Sequence, residues 1–252
     1  MSPFKPSVSY RHTATLIDNK LYILGGLDSE NIVLDEFFCL DVSVPFNTQE
    51  LPWQDLSNIN LVPVHMSAAL ARGGANNDTL FLYGGTTPIK TMSLVYTFNS
   101  RNFAWSIPKI TEITVGINMI RKYSLTGIID NNGKLYLWGG MTWGAATGDN
   151  VLNEMLVLDT IKLNWNSGSI INAPTPRREY GATLLPDNKI IYLGGDTGNV
   201  VSYDINLIIT KGVPLKLSEV YIYDTINDSW DTKIVSGNIP SNRGTFSTVL
   251  GM

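Results

Sequence analysis

Four Gly-Gly pairs, each closing an apolar run, constrain this chain more than any other feature. The runs are residues 21–26, 80–85, 135–140 and 190–195. The first glycines of the pairs, Gly25, Gly84, Gly139 and Gly194, stand 59, 55 and 55 residues apart. A repeat of that length with several strands per unit marks a propeller or a similar array.

What surrounds each pair repeats as well. A strand-like segment comes first, at 12–17, 67–71, 124–129 and 180–185. A short turn rich in Asn, Asp and Gly then leads into the Gly-Gly run, and these residues tolerate the positive φ of tight hairpins. A polar loop of variable length follows, then a third apolar run at 37–41, 95–98, 155–159 and 220–224. A tryptophan closes each unit: Trp53, Trp105, Trp165 and Trp230. Three hairpin-linked strands and a fourth carrying Trp make a four-stranded sheet. Its strands are apolar throughout, without strict alternation, as expected when both faces are covered. Gly25, Gly26, Gly84, Gly85, Gly139, Gly140, Gly194 and Gly195 suit a tight bend or close backbone approach. The four tryptophans suit burial between sheets. All these positions are read as structural.

The pattern resembles the kelch repeat, and its wording is most similar to fungal kelch proteins of the galactose-oxidase-type propeller superfamily. Pro-rich lead-ins at 174–178 and 240–243 add to the likeness. The resemblance implies an all-β, kelch-type β-propeller. It would hold four four-stranded blades, at about 7–63, 64–119, 120–174 and 175–240, in a single segment 1–252. Residues 241–252 match the first strand of a fifth unit. A partial propeller is therefore expected, because the family commonly has more blades. Two open blade faces would favour a homodimer joined through blade edges, with 245–250 near the junction.

Composition fits this picture. Hydrophobic residues make up 44% and charged residues 16%, and no run is long enough to span a bilayer. A net charge of −4 with no basic stripe argues against nucleic acid. The N-terminus shows no apolar h-region, and the compartment stays open. Cys39 is the one cysteine, so no intrachain disulfide can form, and its place in a third strand predicts a buried, inert thiol. The sequons at Asn77 and Asn227 are no more than chance provides.

Catalytic chemistry is not expected. The galactose-oxidase resemblance would imply copper held by two histidines and two tyrosines, one crosslinked to cysteine. This chain has only His12 and His65, and Cys39 lies on a different strand. Two ligands do not close a copper or zinc site, so no cofactor, metal or catalytic residue is assigned. The expected function is a non-catalytic interaction module that binds a protein or peptide through its blade-connecting loops. The alternative is part of a galactose-oxidase-like, carbohydrate-related enzyme with its catalytic residues elsewhere. Loops on a rigid scaffold vary without cost to the core. Those after the third and fourth Gly-Gly are long and carry Trp143, Asp149 and Tyr203 as candidate anchors. Arg11, Arg121, Lys122, Arg177, Arg178 and Arg243 precede the first strands at positions read as equivalent, and a ring of cations would suit an acidic peptide or a carboxylate.

Overall fold

A computed structural model describes residues 4–112, 120–143, 150–198, 202–204 and 209–250. The expected blades are present. The first contains Thr13–Ile17, Lys20–Leu24, Phe37–Asp41 and Gln54–Asp55, hydrogen-bonded in that order. The second contains Ala69–Gly73, Thr79–Tyr83, Val95–Asn99 and Ala104–Ser106. The third contains Gly127–Ile129, Lys134–Trp138, Met155–Asp159 and Asn164–Gly168, and the fourth Gly181–Leu184, Lys189–Leu193, Glu219–Asp224 and Ser229–Ile234. All neighbours within these sets are antiparallel. The chain divides into two compact units, Met1–Ile110 and Thr111–Met252, with two blades in each.

Local chemistry sets the hairpins. Ile17 pairs with Lys20 across a two-residue turn in which Asp18 adopts φ 50°. Asn77 at 54° and Asn188 at 60° serve the same purpose in the second and fourth blades. Asn and Asp reach this region because short polar side chains bond locally there.

The first, third and fourth Gly-Gly pairs each form a seam with the segment that follows their blade, which gives the expected close approach a definite partner. In the third blade, Gly139 and Gly140 have φ of 59° and 80°. A Cβ on Gly139 would lie 2.6 Å from the Arg177 carbonyl oxygen of the next blade, and one on Gly140 would lie 2.9 Å from the Tyr123 carbonyl of its own. The second glycine donates its N–H across the seam: Gly26 to His65 O, Gly140 to Arg177 O and Gly195 to Arg243 O, at 2.9–3.0 Å. A second link joins residues before the first strands: Ser67 N–H donates to Arg11 O, Glu179 to Ser124 O and Thr245 to Glu179 O.

Aromatic packing fills the blade interfaces. In the first unit, Trp105 of the second blade meets Phe37 of the first at 5.3 Å and its own Phe98 at 5.1 Å. In the second unit, Trp230 of the fourth blade meets Trp138 of the third at 4.8 Å. Central strands such as Met155–Asp159 are buried along their whole length, as two covered faces require. Cys39 is buried too, and burial holds its thiol above the ordinary range.

Three details differ from the sequence reading. Trp53 precedes the short fourth strand of its blade, packing on Phe38 at 5.1 Å. Thr111–Glu112 pairs in parallel with Asn164–Gly168, giving the third blade a fifth strand. The segment 245–250 forms no ladder. It lies along the first strand of the fourth blade through Thr245 N–H and through Thr248 Oγ1, which donates to Ala182 O at 2.6 Å.

Candidate functional site

The loops after Gly-Gly stand on small clamps. The residue before the positive-φ position pairs with the residue after Gly-Gly: Tyr10 with Leu27, Met66 with Thr86, Tyr123 with Met141, and Arg178 with Asp196. In three loops the returning chain then pairs on the other side, through Val33, Val151 and Pro214. Loop length can therefore vary while the base stays fixed.

This register corrects the equivalence drawn from sequence. The residues two before the positive-φ position are Ser9, His65, Lys122, Arg177 and Arg243, and Arg11 aligns with Glu179, not Arg178. The shift arises because Arg11 itself adopts the left-handed conformation that Ser67, Ser124, Glu179 and Thr245 hold in the other units.

Several of these side chains point inward. Lys122 is fully buried, and its Nζ donates to Leu137 O at 3.0 Å, with Glu154 Oε1 at 3.7 Å. Arg177 is buried as well, donating from Nη1 to Gly194 O and from Nε to Thr175 O, with its guanidinium over the Tyr221 ring. Both cations therefore donate to backbone carbonyls, which offsets the cost of burying them. Arg178 is buried beside Asp196, with Nη2 3.5 Å from Oδ1. Asp196 accepts the backbone N–H groups of Gly198 and Val213, which fixes the long loop at both ends. Sequence reasoning passed over Asp196, although its place directly after Gly-Gly was the available signal.

The other candidates lie differently. Arg11 is exposed, and Arg121 and Arg243 are half-buried. Arg243 donates to the backbone and hydroxyl of Ser241. Trp143 is 72% exposed. Asp149 and the side chain of Tyr203 lie outside the described residues. Among the described residues, no group of three His, Cys, Asp or Glu could hold a metal ion, and no helix is long and apolar enough to cross a membrane.

Burial of Lys122 gives a pH signature. Desolvation lowers its ammonium from 10.5 to about 8, against the opposing pull of Glu154. A base depressed in the folded state takes up fewer protons than the unfolded chain between the two values, so this group adds stability as pH rises from about 8 towards 10.5. Lys122→Met is expected to remove that increment. Denaturation midpoints of wild type and variant at pH 8 and pH 10 should differ in slope, and parallel slopes would refute the assignment.

The Kelch-repeats domain model named for KLHDC2/KLHL20/DRC7 matches residues 11–251. Kelch domain-containing protein 3 of Rattus norvegicus is 22% identical over 232 residues, covering 87% of this chain and 55% of that protein. Alpha-scruin of Limulus polyphemus is 22% identical over 193 residues, covering 76% of this chain and 19% of its own length. A probable serine/threonine-protein kinase of Dictyostelium discoideum is 27% identical over 207 residues, covering 81% and 14% respectively. The chain thus spans from about a seventh to about half of the length of these curated relatives.

Proposed function

Because the chain belongs to the kelch-repeat family, we propose that it binds a partner protein or peptide through the loops that follow its Gly-Gly pairs, without catalysing a reaction. The observation that carries this is Trp143. It is 72% exposed, yet it follows a strand clamped on both sides by Lys122–Tyr123 and Asn150–Val151. A large apolar ring held out on a fixed base is what an interaction anchor requires. Arg11 and Arg121 are proposed as accompanying polar contacts. Lys122 and Arg178 support the loop bases from within.

Trp143→Ala is expected to weaken capture of a partner by about tenfold or more, with the melting temperature unchanged. Ile161→Ala, at the hairpin on the opposite end of the same blade, should leave capture intact. Equal capture by wild type and Trp143→Ala would sink the assignment. Light scattering on the same material tests self-association, a further proposal motivated by the exposed Val249 and Leu250; a mass of one chain would refute it.

A further inference from the structure

An open hollow of about 420 Å³ lies in the first unit, bordered by Asp35, Asn60, Val62, Pro63, Val64 and Ile89. Three segments meet there: the return of the first post-Gly-Gly loop, the connector into the second blade, and the second post-Gly-Gly loop. Hydrogen bonds fix each of them. Asn60 Nδ2 donates to Asp35 O at 3.0 Å, while Asn60 Oδ1 accepts from Val62 N at 3.1 Å. Ser57 Oγ accepts from Phe37 N, and Ile89 N donates to Thr87 Oγ1. The amide and hydroxyl groups of the hollow are thus occupied in holding its frame.

Asp35 is the exception. Its side chain is exposed, and among the described residues no hydrogen bond or ion pair engages its carboxylate. The remaining walls are apolar, with Val62 in the core and Ile89 partly exposed at the rim. The field there is negative. Residues 28–36 carry Asp28, Glu30, Asp35 and Glu36 and no base, the connector 56–64 is uncharged, and the second loop adds only Lys90. Two of those carboxylates are already engaged: Asp28 accepts from Glu30 N and Ile32 N, and Glu36 accepts from Ser7.

A rigid apolar trough ending in one unpaired carboxylate matches an amphipathic cation. Lys and Arg lay their methylene stems on apolar surface and present the charge at the tip, and a guanidinium pairs with carboxylate through two parallel bonds. The hollow is within the usual size of ligand sites, large enough for one such side chain and its flanking residues. We propose that it receives a basic side chain of a peptide partner, with the cation on Asp35 and the stem against Val64 and Ile89. The proposal rests on reading the loops as a binding surface. Its test uses no partner protein, so it can fail while capture through Trp143 stands.

The test is backbone-amide NMR with N-acetyl-arginine amide as the probe and N-acetyl-norleucine amide as its uncharged counterpart. The expected result is saturable shifts at residues 35, 57–64 and 89 with the arginine probe and much smaller ones with norleucine. Asp35→Asn, with an unchanged melting temperature, should weaken arginine binding by about threefold to tenfold, while Glu30→Gln should leave it unaltered. Shifts that scatter over the surface, fail to saturate or persist unchanged in Asp35→Asn would overturn the proposal. So would equal weakening by Glu30→Gln, which would mean a diffuse field and not a site.

Discussion

Replacing Trp165 by alanine is expected to lower stability by about 3–5 kcal/mol. The side chain is 1% exposed and lies in the fourth strand of the third blade, opposite Leu158. Removing an indole there leaves a void in a close-packed interior that its surroundings fill only in part. The same substitution is graded around the repeats. Trp230 is also buried, packs on Trp138, Tyr192 and Tyr223, and donates Nε1 to Ser169 O at 2.7 Å, so its loss forfeits a hydrogen bond as well. Trp105 is half-buried at the interface within the first unit. Trp53 is half-buried, precedes its strand and touches one ring. Chemical denaturation of the four variants should therefore place Trp165 and Trp230 together at the largest loss and Trp53 at the smallest. A flat ranking, or an unchanged midpoint for Trp165→Ala, would show that burial does not set the cost of losing these rings.

The repeat was legible because its determinants are local. Gly-Gly, the Asn/Asp turns and the apolar runs act through φ and through strand period, which the sequence shows directly. Trp53 was misplaced by proximity: it stands next to Gln54–Asp55, a strand too short to include it. The parallel addition of Thr111–Glu112 to Asn164–Gly168 joins residues about fifty positions apart and carries no composition signal. The entry cations were readable by type but not by direction. Arg177 and Arg178 follow the Pro-rich lead-in 174–176, which suggests solvent, and Lys122 follows a second cation, Arg121; yet Lys122 and Arg177 turn inward to donate to Leu137 O and Gly194 O. The hollow at Asp35 was invisible for a related reason: it forms where two loops and a connector meet, and no single stretch of the chain describes it.

Gly139→Ala should be among the most damaging single-methyl additions in the chain, costing about 3 kcal/mol or more. The left-handed conformation at φ 59° accounts for part of this, about 1–2 kcal/mol for a residue with a Cβ. The rest comes from contact. The new methyl would stand 2.6 Å from the Arg177 carbonyl oxygen and 3.3 Å from that of Leu152. Both are backbone atoms, and neither can yield as a side-chain tip would. The Arg177 oxygen also accepts the Gly140 N–H at 2.9 Å, so displacing it breaks the seam bond between two blades. Gly237 separates the two causes. It holds φ 104°, a conformation less accessible to alanine than that of Gly139, but a Cβ there would meet nothing within 4 Å. By backbone conformation alone, Gly237→Ala would be the worse variant. The seam reverses that order: Gly237→Ala, in an exposed segment free to adjust, should stay within about 1 kcal/mol of wild type, and Gly139→Ala should fall well below both. Comparing the two denaturation midpoints decides the matter. If Gly237→Ala proves as costly as Gly139→Ala, the glycine pairs serve the bend alone and close approach between blades contributes nothing.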